Sequence, residues 1–385
     1  MTSRARRILI QVGIFALAGV LLYLAFRGAE LDKIAEALRE ADYGWLVPLF
    51  VVTMLSHLLR AWRWQVLLEA LPPRSPEAGP PRVSLKTAFY SLMIGYMVNY
   101  AVPRMGEVVR TADVAAQEKL SFSGVLGTVV VERILDVLVL ALGLVVSVLL
   151  LFDQMGAIQE HLIDPLLQNI GQTPALLLGG LLLGIAAVVV FIYWTAFRPE
   201  DARLRRFWNK RLRSIWMSFK DGLATVLRSP RRFTLVFSTL AIWFCYLLMA
   251  YVPLLLFDLV GPYNLSLLDT LSIMLLGAVG VVIPLPGGVG SFHYITRQTL
   301  VFLFGVNESL AVTYAFFVHG AQLVFFVIVG SLCLLLQGSS LSTLYSRVKA
   351  TQQEPQPPPD TARPDDTDAP SSTAETRHDQ TPNQP

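Results

Sequence analysis

The chain has 385 residues, of which 54% are hydrophobic and only 15% are charged. Its mean hydropathy of +0.54 excludes an average soluble domain, in which about a quarter of the residues are charged. The formal net charge is only +3, although the charges are unevenly placed along the chain. Composition alone therefore predicts a polytopic membrane protein.

Six apolar runs are long enough to cross a bilayer, which takes about 20 residues of helix. They cover residues 8–26, 44–60, 123–152, 174–197, 233–257 and 309–337. The first run lacks the small residues that precede a signal-peptide cleavage site, so we interpret it as a retained helix. Two further apolar stretches, 85–102 and 267–304, are interrupted by proline and glycine.

A basic segment at residues 198–232 carries eleven arginines and lysines against three acidic residues. Between two membrane spans, such a segment is typical of a cytoplasmic loop, and it also suits anionic lipid headgroups. Nucleic-acid binding is a weaker interpretation in this position. We therefore expect no nucleic-acid partner.

The C-terminal segment from Gln352 to Pro385 is rich in proline, threonine, aspartate and glutamine and has almost no large apolar residue. Such a segment does not bury enough surface to offset its ordering entropy. We divide the chain into an integral membrane domain at 1–345 and a disordered cytoplasmic tail at 346–385. Both termini are expected on the cytoplasmic side of the inner membrane.

The loop charges constrain the path of the first interrupted stretch. If residues 85–102 made a complete crossing, the basic segment at 198–232 would lie outside the cell. The conflict disappears if the chain from Leu85 to about Leu120 enters from the cytoplasm, breaks at Pro103 and returns. Re-entrant backbone at this depth is acceptable where neighbouring helices bury it.

The second interrupted stretch, 267–304, is then predicted to enter from the external side. Its break includes Pro286, Gly287, Gly288 and Gly290, which remove a donor or supply unusual backbone angles. Two broken segments of opposite orientation are typical of inverted-repeat transporters. The predicted fold is thus an all-α polytopic membrane protein with about six full spans plus two oppositely oriented re-entrant helical hairpins, about eight hydrophobic segments in all.

Charged residues follow the first break closely. Arg104, Glu107 and Arg110 are spaced by three, so Glu107 is expected to pair with either arginine. Glu132 and Asp136 share a helix face, and Arg133 is expected to reach Asp136. Each unpaired charge at the bilayer centre costs about 2.5–3.5 kcal/mol, so these groups must pair or lie near water.

Two interpretations of these charges stay open. The first is an ion-pair clasp that fixes the hairpin to its neighbouring helix. The second is an anion site, in which surplus guanidinium charge binds a lipid phosphate. On that interpretation Arg104, Arg110 and Asn99 bind the phosphate, and Glu107, Glu132, Arg133 and Asp136 are supporting ion pairs.

Other polar residues in the apolar runs are interpreted mainly as packing. The group Arg60, Trp62, Arg63 and Trp64 is predicted to be an interfacial anchor. His57 and His319 are predicted to make hydrogen-bonded helix contacts. His293 follows the glycine turn, and two interpretations stay open for it: packing, or lining the cavity and titrating near neutral pH. Cys245 and Cys333 lie inside spans, and neither a metal site nor a cofactor is expected.

At these residues the sequence resembles the integral-membrane region of lysylphosphatidylglycerol synthases, the flippase-like domain family. The matching features extend over roughly residues 8–340 and are the stretch from Asn99 to Arg110, the run from Val131 to Asp136, the Arg63–Trp64 pair and the segment from Pro286 to Gly290. The resemblance implies a helical fold with re-entrant segments and the handling of phospholipids or polyprenyl-linked lipids. One departure is His293, where family members often have glutamate. The aminoacyl-transferring domain of the full synthases is also missing after the last span, so we do not expect synthesis of lysyl lipid by this chain alone.

The predicted function is a flippase-like transporter that binds an anionic phospholipid or polyprenyl-phosphate lipid in an intramembrane polar cavity. Two alternatives stay open: a membrane-embedded transferase acting on polyprenyl-phosphate sugars, with Glu132 and Asp136 as base or metal ligands, and a non-catalytic scaffold subunit for a lipid-modifying enzyme. The partners are membrane lipids, and the oligomeric state is left open.

Overall fold

The computed structural model describes residues 19–72, 79–102, 105–150, 230–282 and 288–351. Within these ranges every regular element is helical. Residues 19–26 are helical, and ten further helices follow in chain order: α1 Leu31–Glu40, α2 Leu46–Leu68, α3 Leu85–Ala101, α4 Met105–Gln117, α5 Phe122–Leu150, α6 Arg232–Leu256, α7 Leu267–Val282, α8 Ser291–Gln298, α9 Glu308–Leu336 and α10 Leu341–Thr351.

Three of the described helices are long and apolar enough to cross a membrane. They are Tyr43–Leu68, Arg232–Leu256 and Glu308–Leu336, and they coincide with three of the predicted apolar runs. The 29-residue α5 occupies the predicted run at 123–152 but carries three charged residues. The all-helical membrane class is therefore confirmed. The predicted run at 174–197, the basic segment up to residue 229 and the tail from 352 lie outside the described residues.

Helices α3 and α4 form an antiparallel pair, here called the first hairpin. Close to its turn, the Gly106 N–H donates to Asn99 Oδ1 at 2.7 Å. Further down, Ser91 Oγ donates to Asp113 Oδ2 at 2.5 Å. The two helices approach closely because glycines face each other: a Cβ built on Gly95 would lie 2.9 Å from the Gly106 carbonyl oxygen.

Helices α7 and α8 form a second antiparallel pair, the second hairpin, which continues as a π-helical turn at Thr299–Leu303. Ser291 Oγ donates to the Gly280 carbonyl at 2.6 Å and so joins the end of α7 to the start of α8. Gly288 and Gly290 have φ angles of 73° and 87°, in the left-handed region that favours glycine. These two positions therefore explain why the turn predicted from the sequence contains glycine.

The first hairpin lies along the C-terminal half of α9. At its open end, Gln337 Nε2, just beyond α9, donates to Asp113 Oδ1 at 3.0 Å. At its turn, the Tyr100 ring lies 6.1 Å from the His319 ring.

The second hairpin lies along the N-terminal half of the same helix. Near its open end, Arg297 Nη2 pairs with Glu308 Oε2 at 3.0 Å. At its turn, the His293 ring lies 4.8 Å from the His319 ring. The two hairpins therefore run in opposite directions along α9, and their turns meet at His319, about 17 Å from the start of a helix that is about 43 Å long.

Two apolar clusters hold the hairpins in place. The first hairpin packs against α2 and α5 through a cluster that includes Ala61, Trp64, Leu92, Val114 and Val125. The second packs against α6 and α9 through a cluster that includes Leu254, Leu259, Ile273, Leu300 and Tyr314. Each hairpin is thus surrounded by protein on more than one side, which backbone at membrane depth requires.

The glycine contact inside the first hairpin can be tested by adding one methyl group. A Cβ at Gly106 would lie 2.6 Å from Asn99 Cγ, so Gly106→Ala is expected to cost about 1–3 kcal/mol through overpacking. Thermal unfolding of the purified chain in detergent measures this loss. Gly127→Ala is the matched control, because this α5 glycine has no heavy atom within 4 Å. An equal loss of stability in both variants would contradict the close approach of α3 and α4.

Candidate functional site

Five charged side chains meet where the first hairpin touches α2 and α5, and we call them the charged cluster. Arg60 pairs with Asp136. Arg63 Nη2 lies 2.9 Å from Asp136 Oδ1 and 3.5 Å from Glu132 Oε1. Arg110 Nη2 lies 2.9 Å from Glu132 Oε2. Arg63 and Glu132 are fully buried, with 0% of each side chain exposed.

Polar and aromatic neighbours complete the cluster. On α6, the Tyr246 hydroxyl accepts from Arg60 Nη1 at 2.6 Å, and Thr239 Oγ1 accepts from Arg63 Nη1 at 3.1 Å. The Arg110 guanidinium lies over the Trp64 ring, 4.6 Å from its centroid, in a cation–π contact. The cluster therefore ties together four helices: α2, α4, α5 and α6.

The charged cluster is not neutral. Among the residues that the structure describes, three guanidinium groups face two carboxylates, which leaves one positive charge in excess. Within the described part of the chain, Arg110 Nη1 is buried and has no hydrogen-bond partner, and the same holds for the Nε atoms of Arg60 and Arg63. A buried donor without a partner costs about 1–3 kcal/mol. An anion within hydrogen-bond distance of Arg110 Nη1 would remove the cost for that group and balance the excess charge.

The predicted pairing of Glu107 with Arg104 or Arg110 is wrong with respect to Arg110. Glu107 Oε1 accepts from Arg133 Nη2 at 2.8 Å, and this pair is half exposed, with 27% and 46% of the two side chains accessible. Arg110 instead pairs with Glu132 of α5. The spacing rule considered a single helix, whereas α5 supplies the partner of each residue. For the same reason Arg133 does not form the predicted pair with Asp136.

The remaining predicted site residues have varied positions. Asn99 accepts from the Gly106 backbone and so caps the start of α4. Gly288 and Gly290 form the turn of the second hairpin, and His293 is buried beside it, with 3% of its surface exposed. Pro103, Arg104, Pro286 and Gly287 lie outside the described residues.

The predicted interfacial anchor is wrong for three of its four residues. Arg60, Arg63 and Trp64 are buried, and only Trp62 is half-buried. The apolar run ends near residue 60, but the helix continues to Leu68, so these residues face other helices and not the membrane surface. A signal was present: Arg60 and Arg63 are spaced by three and Glu132 and Asp136 by four, which gives two helix faces of opposite charge.

Sequence reasoning missed a second polar network around Asp113. This side chain is fully buried and accepts from Ser91, Gln117 and Gln337 at 2.5 to 3.0 Å. It also pairs with Arg347 of α10. The network joins the open end of the first hairpin to the C-terminal helix. Its partners lie up to 234 positions away in the sequence, so no local pattern reveals them.

An apolar groove of about 470 Å³ lies between α2, α6 and α9. Leucine, phenylalanine, valine and other apolar side chains form most of its wall, and Thr53 and Gln322 are the polar side chains among its lining residues. Thr53 lies seven residues before Arg60 on α2, about 10 Å along the helix. The groove therefore runs close to the charged cluster.

The described residues contain no group of three or more histidine, cysteine, aspartate or glutamate side chains arranged to hold a metal ion. The cluster carboxylates instead have arginines as partners.

Comparison with known proteins defines the class. The family model of the lysylphosphatidylglycerol synthase TM region matches residues 8–330, which is most of the chain. The protein therefore belongs to this family of integral membrane proteins. No curated protein and no solved structure matches it.

Removal of one carboxylate tests how much the charged cluster contributes to the free energy of unfolding. Glu132→Gln leaves three arginines facing Asp136 alone, and we expect a loss of about 3–5 kcal/mol, the scale for breaking a buried ion pair. Thermal or denaturant unfolding of the purified chain is the measurement. In the control Glu107→Gln the broken pair is half exposed, so the expected loss is below about 1 kcal/mol. If the two variants unfold alike, the cluster is solvated and not buried.

Proposed function

We propose that the protein binds the phosphate of an anionic phospholipid or polyprenyl-phosphate lipid at the charged cluster and moves that lipid across the inner membrane. The observation that carries this proposal is the excess positive charge of a buried site among the described residues, together with the Arg110 Nη1 group, which has no hydrogen-bond partner among them. Guanidinium groups bind phosphate oxygens in a planar, often bidentate geometry, so the chemistry of this site suits an anionic headgroup.

The hairpin geometry supports a transporter. We propose that both hairpins are re-entrant, the first from the cytoplasm and the second from the outside. Their opposite directions along α9 and the contact of their turns at His319 support this arrangement. The ion pair between Glu69 and Arg231 supports the orientation, because it joins the end of α2 to the basic segment predicted to be cytoplasmic. Paired broken helices that meet at a site near the midplane are typical of transporters that alternate access.

The apolar groove supplies what the rest of a lipid needs. It lies between the three helices that are apolar enough to cross a membrane, so we propose that it accommodates part of a hydrocarbon chain while the headgroup phosphate binds near Arg110. Arg104 and Asn99 stay predicted second contacts for the same phosphate. The transferase alternative is less well supported, because Glu132 and Asp136 are already paired with arginines.

The experiment compares two positively charged side chains at position 110, the planar guanidinium of arginine and the ammonium group of lysine. In Arg110→Lys the positive charge next to Glu132 is kept, but the planar donor pair is lost. We expect the variant to fold and to move labelled phosphatidylglycerol or a labelled polyprenyl phosphate about tenfold more slowly in reconstituted vesicles, since hydrogen bonds to charged groups contribute about 1.5–3 kcal/mol.

Arg133→Lys is the matched control, because its side chain is 46% exposed and pairs outside the cluster; wild-type rates are expected. Equal rates for Arg110→Lys and wild type would show that Arg110 does not contact the phosphate. If wild type moves neither anionic lipid nor labelled phosphatidylcholine, lipid transport itself is refuted.

A further inference from the structure

The turns of the two hairpins both pack against His319 of α9 through aromatic rings. Tyr100 of the first hairpin packs edge-on against His319 of α9, at 6.1 Å between centroids. His293 of the second hairpin packs against the same His319 at 4.8 Å. We call these three residues the ring junction. Both imidazoles are buried, with 3% and 9% of their surfaces exposed.

The hydrogen bonds of the two imidazoles fit neutral rings. His293 Nδ1 accepts from the Gly290 backbone N–H at 3.3 Å, which requires an unprotonated nitrogen. His319 Nε2 is buried and has no hydrogen-bond partner among the described residues. The other rings around the pair are Phe292 and Phe316. Neutral imidazoles pack well in such surroundings, whereas a charged imidazole is costly there.

The charged groups around the junction are engaged elsewhere. On α9 the acidic residue is Glu308, which pairs with Arg297 of α8 eleven positions before His319. On α7 it is Asp269, which bonds to Ser266 at the start of that helix. The remaining described titratable groups on the packed elements are Lys86, Tyr90, Tyr96 and Tyr100 on α3, Tyr294 on α8, Tyr314 and Cys333 on α9, Tyr23 on the helix at 19–26 with Arg27 beside it, Arg232, Cys245, Tyr246 and Tyr251 on α6, and the exposed Asp32, Lys33, Glu36, Arg39 and Glu40 on α1. Within the described ranges, none of the ion pairs involves either imidazole, and Arg104 lies outside those ranges.

We propose that His293 and His319 form a proton-binding site, and that a proton taken up there separates the two hairpin turns and so couples lipid movement to a proton. The coupling rests on the proposed function. The proton binds at His319, whose Nε2 has no hydrogen-bond partner among the described residues, whereas His293 Nδ1 already accepts from Gly290. It places a charge without a counter-ion between aromatic side chains, and separation of the turns lets water reach it. An imidazole in water changes its charge between pH 5 and 8. A fall in pH over this range therefore favours the separated arrangement, in which water reaches the ring, over the closed one, in which burial opposes the charge.

The movement would reach the phosphate site through α4. Arg110 lies on the returning helix of the first hairpin, one turn beyond Gly106, and a Cβ on Gly95 would touch its Cβ at 3.1 Å. A tilt of this hairpin away from His319 therefore shifts the Arg110 guanidinium relative to Glu132. Proton binding at the ring junction and phosphate binding at the charged cluster are linked by one rigid element.

The first test measures the separation directly. Spin labels are placed at Val102→Cys and Val289→Cys, beside the two turns, after both native cysteines, Cys245 and Cys333, are changed to alanine. In nanodiscs we expect the distance between the labels to increase when the pH falls from 8 to 5. In His319→Phe, which keeps a ring but cannot bind a proton, we expect a distance that does not depend on pH.

His57→Phe is the matched control. His57 is another buried imidazole, and neither of its nitrogens has a hydrogen-bond partner in the part of the chain that the structure describes. Its ring contacts Tyr96, Phe325 and Phe326 and none of the ring-junction residues. This variant is expected to keep the wild-type response. A pH-independent distance in wild type, or an unchanged response in His319→Phe, would overturn the proposal.

The second test separates proton coupling from lipid transport. Vesicles containing the full chain and labelled phosphatidylglycerol receive an imposed pH gradient. We expect the gradient to change the rate severalfold in wild type and not in His319→Phe. A wild-type rate that ignores the gradient overturns the coupling while leaving lipid transport intact. No lipid movement in wild type, with a pH-dependent label distance, refutes the proposed function and its coupling but keeps the proton-binding site.

Discussion

The rest of this structure depends on one constraint: the buried charged side chains of the cluster are largely out of contact with water and must be stabilised by one another. Arg60, Arg63, Arg110, Glu132 and Asp136 come from three helices, and none of them would be stable alone at this depth in an apolar protein. Each side chain is acceptable only because the others are in place. The ion pairs therefore fix how α4 lies against α2 and α5, and with it the position of the first hairpin.

The same arrangement is compatible with both interpretations of the charges, the ion-pair clasp and the proposed anion site. A clasp needs paired charges, and the pairs between α2, α4 and α5 supply it. An anion site needs surplus charge, and the third arginine supplies that. The two interpretations are thus compatible, because the same arginines that form the ion pairs also supply the excess charge that the proposed phosphate would balance.

The two helical hairpins could be predicted from the sequence, because the proline and glycine positions and the distribution of basic residues can be read directly from it. The glycines at 288 and 290 adopt the left-handed backbone angles that a turn requires. Proline at position 103 predicts a helix break there, and the basic segment at 198–232 predicts which side of the membrane each hairpin enters from. Pairing between helices could not be predicted in this way. The spacing in the sequence predicts an arginine of the same helix as the partner of Glu107, whereas its partner in the structure is Arg133 of α5.

The buried arginines and histidines show a further limit. Arg60 and Arg63 resemble an interfacial anchor because the apolar run stops there, and only the packed helices reveal Asp136 between them. His57 and His319 were expected to make hydrogen bonds, yet both His57 nitrogens and His319 Nε2 lack partners in the described residues. A histidine that packs as an aromatic ring has the same sequence signature as one that bonds through nitrogen.

The central claim is that the two hairpins enter the membrane from opposite faces. Single cysteines at Gly79 and Gly261 test it most directly, because these exposed glycines precede the open ends of the first and second hairpins, and a Cβ at either meets no heavy atom within 4 Å. In a background without Cys245 and Cys333, intact cells are treated with an impermeant thiol reagent. The account predicts labelling at position 261 alone, and at both positions after permeabilisation. Labelling of both sites, or of position 79 alone, in intact cells would contradict it.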